Sequence, residues 1–167
     1  MADSEIVQIT VLEAGNQPPV LDSIRAKTVA ENSNLTFRVH ATDPDGTVPA
    51  LQGKNMPANA TFVDSGNGSG SFSFNPSFTR AGIYNVTFKA LDGSLSDSEI
   101  VQIAVNNTNR APVLDSIRSK TVAEGTTLTF RVHATDPDLD VLILTSINKP
   151  TNSTFIDSAN GAGSFSF

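Results

Sequence analysis

The chain repeats itself, and that repetition limits what it can fold into more than any other feature. Residues 17–74 align without a gap on residues 110–167 at an offset of 93, and 39 of the 58 paired positions are identical. The shared strings include PVLDSIR, KTVAE, LTFRVHATDPD and GSFSF. The N-terminal stretch repeats as well, because DSEIVQITV at residues 3–11 matches DSEIVQIAV at residues 97–105. Three parts follow: residues 1–16 as the last strand and linker of a preceding module, residues 17–109 as a complete module, and residues 110–167 as the N-terminal part of another that lacks its last two strands.

Within the complete module the hydrophobic signal has a period of two, with β-branched and aromatic residues bounded by Gly, Pro, Asn and Asp clusters. LTFRVHA places Leu35, Phe37, Val39 and Ala41 on one face and Thr36, Arg38 and His40 on the other. IYNVTFKAL places Tyr84, Val86, Phe88 and Ala90 against Asn85, Thr87 and Lys89. SFSF, VLDSI, ATFVD, EIVQIAV and a weak strand near Ala50 complete a set of about seven short strands, the pattern of an antiparallel sandwich. No window sustains an apolar i, i+3, i+4, i+7 pattern with caps, so the class is all-β. Tyr84 stands where such sandwiches keep a corner tyrosine, the alternative being an ordinary core aromatic. The stretch SGNGSGS reads as a hairpin turn, since it joins two strands and precedes no helix.

Bulk properties exclude several functions. With 11 Lys+Arg against 17 Asp+Glu the net charge is −6, and no basic stripe interleaved with aromatics exists to meet a phosphate backbone. Nucleic acid is therefore not an expected partner. The absence of cysteine removes disulfides, thiolate catalysis and Cys-based zinc sites. No apolar run reaches the roughly 18 residues of a membrane span, and MADSEIVQ has no basic n-region or apolar h-region. A secretory signal, if the parent uses one, is expected outside this chain.

The order and spacing of APVLDSI, KTVAE, LTFRVHATDPDG and AGIYNVTFKALDGSLSDSEIVQIAV resemble the cadherin-like and bacterial or archaeal Ig-like repeats of large microbial surface proteins. The dystroglycan-type cadherin-like and polycystic-kidney-disease-type groups are among them. The resemblance covers essentially the whole chain. It implies tandem Ig-like or cadherin-like β-sandwich modules, an extracellular or cell-surface location, and neighbouring copies or modules of the same protein as partners.

It also implies calcium. Ca²⁺ takes six to eight oxygens, and cadherin-like repeats gather them at module junctions. By that resemblance the candidate ligands are Asp43, Asp45 and Asp92 at the end where the chain enters the module. Glu31, Asn107 and Asn109 are the candidates at the exit and linker, and Asp136 and Asp138 those in the following module. Two departures stand out: the linker carries Asn where cadherins carry Asp, and Thr79 and Arg80 occupy a loop where they carry an acid. The alternative is that Asp43-Pro44-Asp45 is turn chemistry on a solvated loop.

The N-x-S/T pattern occurs at Asn34, Asn59, Asn67, Asn85, Asn106 and Asn152, each an acceptor for N-glycosylation or a chance product of an Asn- and Thr-rich sequence. Catalysis has little to draw on, because His40 and His133 occupy the same position in consecutive modules and no GxSxG, HExxH or phosphate-cradling loop occurs. The expected function is structural and not enzymatic: a stalk, rod or filament shaft, stiffened by calcium or by Pro-containing linkers. The incomplete last module has two explanations: the chain is a segment of a longer repetitive protein, or copies grow head to tail by strand addition with residues 6–11 as the donor. An adhesin binding surface glycans or proteins is the alternative.

Overall fold

The computed structural model describes residues 1–11 and 15–167, which form two compact units, Met1–Thr108 and Asn109–Phe167. Among the described residues all regular elements are strands, and no helix is long and apolar enough to cross a membrane.

The first unit holds β1 (Val20–Leu21), β2 (Lys27–Ala30), β3 (Leu35–Thr42), β4 (Ala50–Lys54), β5 (Ala60–Asp64), β6 (Ser69–Phe74), β7 (Gly82–Asp92) and β8 (Leu95–Asn106). They form two four-stranded sheets, ordered β1-β3-β6-β5 and β2-β8-β7-β4. Alternation explains which faces meet. Val39 and Ala41 of β3, Phe72 and Phe74 of β6, Val86, Phe88 and Ala90 of β7, and Val101, Ile103 and Val105 of β8 are all buried. Phe88 sits at the centre, 5.6 Å from Phe37, 5.4 Å from Phe62 and 5.5 Å from Phe72 between ring centroids. Burying one such side chain contributes about 1.5–3 kcal/mol. Gly70 is required beside them: a Cβ there would lie 2.5 Å from Cζ of Phe62.

The sandwich has eight strands where the sequence suggests about seven, and the reason is a corner near residue 24. The chain pairs antiparallel with β3 through Val20 and Leu21. It then crosses to the other sheet, where KTVA becomes β2 and pairs parallel with β8, Lys27 opposite Ile103 and Val29 opposite Val105. Arg25 makes the corner with φ +61, a left-handed conformation that costs a non-glycine residue about 1–2 kcal/mol. The other pairings are antiparallel, and a two-residue turn with Gly93 at φ +57 joins β7 to β8.

The second unit contains β9 (Val113–Leu114), β10 (Thr129–Thr135), β11 (Thr154–Asp157) and β12 (Ala162–Ser166) in one sheet, ordered β11-β12-β10-β9. Its register is that of the first unit moved by 93 residues: Arg131 faces Ser164 as Arg38 faces Ser71. Phe130 stacks on Phe165 at 4.9 Å as Phe37 does on Phe72 at 4.8 Å. Residues 120–123, the counterpart of β2, are not in a strand, and Val122 is 39% exposed where Val29 is 8% exposed. Residues 1–11 are exposed and form no strand, and residues 12–14 of the expected preceding segment lie outside the described residues.

Candidate functional site

The polar chemistry of the first unit collects where the chain enters and leaves it. At the entry, Asp43 follows β3 and its Oδ1 accepts the backbone N–H of Asp45 at 2.8 Å, an Asx turn made possible by the Asp-Pro-Asp order. That turn presents the Asp45 carboxylate to residue 17. Gln17 donates its backbone N–H at 2.5 Å and its side-chain Nε2 at 3.1 Å. Asp92 ends β7 at the hairpin. One oxygen of Asp43 and one of Asp92 are buried without a hydrogen-bond partner.

The second unit builds the same turn with a stronger grip. Oδ1 of Asp136, a buried residue, accepts the N–H groups of Asp138 at 2.8 Å and Asp140 at 3.4 Å. Arg110 stands where the first unit has Gln17, and it donates to Asp138 from its backbone N at 2.6 Å, from Nε at 2.9 Å and from Nη2 at 2.7 Å. Nη2 also donates to the carbonyl of Pro137 at 2.7 Å. The Asp138 side chain is 4% exposed. The Arg110 hydrogen bond holds its carboxyl below the usual carboxylate range.

At the exit, Glu31 is 2% exposed, and its carboxylate accepts three backbone donors. Oε1 takes the N–H groups of Arg80 and Ala81, both at 2.7 Å, and Oε2 takes that of Thr108 at 3.2 Å. Thr108 Oγ1 donates back to the Glu31 carbonyl at 3.2 Å. Arg80, which stands in the loop where cadherins carry an acid, therefore meets Glu31 through its backbone. Asn107 is exposed. Tyr84 is a corner tyrosine, its hydroxyl donating to the Arg80 carbonyl at 2.9 Å.

Two further acids escape the motif reading. Asp97 and Glu99 lie on the inward face of β8, in phase with Val101, Ile103 and Val105. Asp97 Oδ2 accepts the Leu21 N–H at 2.9 Å. Glu99 accepts those of Ile24 at 2.9 Å and Arg25 at 3.1 Å, bracing the left-handed corner. The signal available in sequence is that same phase: in DSEIVQIAV the acids fall on the apolar side of the alternation.

Among the described residues no three His, Cys, Asp or Glu side chains gather as a metal ligand set. Asp45, Glu31 and Asp138 are occupied by N–H donors, while Asp43 and Asp92 keep free oxygens. Glu31 and Asn107 belong to the first unit, and Asn109, Asp136 and Asp138 to the second.

The six sequon asparagines are all exposed. Asn59 and Asn152 lie in turns, Asn34 just before β3, Asn67 in the β5–β6 hairpin, Asn85 on the outer face of β7 and Asn106 at the end of β8. Ser69 of the Asn67 sequon is 8% exposed and accepts from Arg38, which leaves it poorly placed to assist transfer in the folded state. Each histidine pairs through Nδ1 with an aspartate of its own unit, His40 with Asp22 and His133 with Asp115, both at 2.8 Å.

The family described as "Bacterial Ig domain" matches residues 16–104. Integrin beta-like protein C of Dictyostelium discoideum is 29% identical over 156 residues, covering 83% of this chain and 8% of that protein. The chain thus spans less than a tenth of that relative. An endo-fucoidan hydrolase of glycoside hydrolase family 107 aligns over 93% of this chain and 25% of its own, with TM-score 0.51 at 17% identity. Titin domains Z1Z2 in complex with telethonin align over 91% and 82%, with TM-score 0.49 at 17% identity.

Proposed function

We propose that this chain, which belongs to the bacterial Ig domain family, is a non-catalytic structural repeat segment of an extracellular surface protein, a length of stalk, rod or filament shaft. One observation carries the reading. The acids at the two ends of the complete module are engaged with the backbone of the entering and leaving chain: Asp45 with Gln17, Asp97 with Leu21, Glu99 with Ile24 and Arg25, and Glu31 with Thr108. Side chains used this way hold a module to its linkers and leave little for a substrate. Calcium, in this reading, would start from the buried, unpartnered oxygens of Asp43 and Asp92. Thermal unfolding with and without a chelator tests that part, and an unchanged midpoint removes calcium from the account.

Assembly by strand addition has support of its own. Residues 3–11 repeat eight of the nine residues of 97–105. Val7, Ile9 and Val11 are 73%, 82% and 87% exposed, whereas their counterparts Val101, Ile103 and Val105 are 1%, 0% and 4% exposed. In the register of β2 with β8, a second copy's Val11 would lie beside Val122, and its Asp3 and Glu5 would meet the N–H groups of Leu114, Ile117 and Arg118. A chain carrying V11C and V122C, in a background without cysteine, should then form intermolecular disulfides. Monomeric chain after mild oxidation would count against assembly of this kind.

A second reading, an adhesin module binding carbohydrate or protein, is favoured by a shallow groove on the outer sheet face. It is lined by Thr36, Arg38, Ser65 and Ser71, and its counterpart by Thr129, Arg131, Ser158 and Ser164. A glycan array probed with the 167-residue chain separates the two readings, since a spacer gives no selective binding and an adhesin does.

A further inference from the structure

The sheet that contains β3 and the sheet that contains β10 carry the same outer groove with one difference. In the first unit Arg38 of β3 donates from Nε at 3.2 Å, and from Nη2, to the hydroxyl of Ser69 on β6, a buried residue. The second unit has alanine at the matching position: Ala162 stands 93 residues after Ser69, as Arg131 stands 93 residues after Arg38. Ala162 offers no side-chain oxygen, and among the described residues the Arg131 guanidinium has no hydrogen-bond or ion-pair partner. Beside it the groove, of about 490 Å³, is lined by Thr129, Ser158 and Ser164 and by no carboxylate. Arg131 also borders a neighbouring depression with Asp115 and His133, but that carboxylate is paired with His133 Nδ1 at 2.8 Å.

We infer that the groove of the second unit is a site for an acidic polysaccharide, with Arg131 binding a sulfate ester or carboxylate of the sugar chain. A planar guanidinium meets two oxygens of one such group through its fixed fork. The hydroxyls of Thr129, Ser158 and Ser164 are partners for the sugar's own hydroxyl groups. In the first unit the same fork is occupied by Ser69, so that groove offers an anion no unpaired cation. Charge is distributed in the same sense. Residues 1–108 hold eleven Asp and Glu against six Lys and Arg, whereas residues 109–167 hold six against five, so an anion meets much less repulsion at the second unit. The inference rests on the adhesin reading and narrows it, since one residue, serine or alanine opposite the arginine, decides whether a repeat binds.

Binding of the 167-residue chain to immobilised dextran sulfate, polygalacturonate, polyglutamate and neutral dextran tests it. The wild type should bind dextran sulfate or polygalacturonate and not neutral dextran, and the preferred polymer identifies the anionic group. R131A, a change at an exposed side chain, should weaken that binding about tenfold. R38A and R118A, the second removing a cation that does not line the groove, should leave it within about twofold. Exchanging the deciding residue should exchange the behaviour: A162S, which supplies the hydroxyl of Ser69, should weaken binding, and S69A, which releases Arg38, should strengthen it. No binding to any sugar polymer would overturn the adhesin reading and the inference together. Equal binding to neutral dextran would keep the reading and overturn the inference. Unchanged binding in R131A, an equal loss in R118A, or tighter binding to polyglutamate than to either acidic sugar polymer would also overturn the inference alone.

Discussion

Replacing Glu31 by glutamine is the sharpest single perturbation of the complete module. The side chain is 2% exposed and accepts three backbone N–H groups, two on Oε1 and one on Oε2. Glutamine retains one acceptor oxygen. Kept toward Arg80 and Ala81, it turns its NH₂ against the Thr108 N–H, so one bond is lost and two donors face each other. Hydrogen bonds to a charged group contribute about 1.5–3 kcal/mol, and the two that survive become neutral and weaker. The expected loss is about 2–4 kcal/mol, larger than most surface substitutions give. For a domain of this size, 1 kcal/mol moves the midpoint by about 4–8 °C, so the unfolding of the first unit should shift down by about 8–32 °C. Circular dichroism melts of E31Q against wild type measure it. A shift under about 3 °C would refute the reasoning, since it would mean the three donors find equal partners without the carboxylate.

Other expectations follow from the same contacts. F88A empties the centre of the aromatic cluster, where the ring is fully buried, and should cost about 3–5 kcal/mol by denaturant unfolding. Y84F removes the hydroxyl bond to the Arg80 carbonyl and should cost about 0.5–1.5 kcal/mol with little change in the spectrum. The Asp138 carboxyl, lowered by Arg110, should titrate below the ordinary value of about 3.9 when followed by its carbonyl carbon shift. With the folded value depressed, its stabilising contribution is complete above the ordinary range and lost only as pH falls through the lowered one. R110Q should move that titration upward.

Much of the architecture is legible because a period of two is a direct readout of a two-faced sheet. Phe37, Val39 and Ala41 fall inward as the alternation of LTFRVHA dictates, and Val86, Phe88 and Ala90 as that of IYNVTFKAL dictates. The corner at Arg25 is harder to see: KTVA is four residues long, and its pairing partner lies 76 residues away in β8. The acids show the other limit. ATDPD looks the same in sequence whether its carboxylates wait for a cation or hold a backbone N–H, and the contacts with Gln17 and Arg110 become visible only in the fold. Asp97 and Glu99 were readable, as charges lying in phase with a buried row. Polar residues on an apolar face require partners, and here those partners are the amides of the entering strand.

The central claim is that end carboxylates fix the chain where it crosses from unit to unit. Amide hydrogen exchange at residues 108–110 of the full chain tests it most directly. Protection at Thr108 and Arg110 with Asn109 exchanging as fast as an open peptide is the result expected, and equal, unprotected exchange at all three would contradict it.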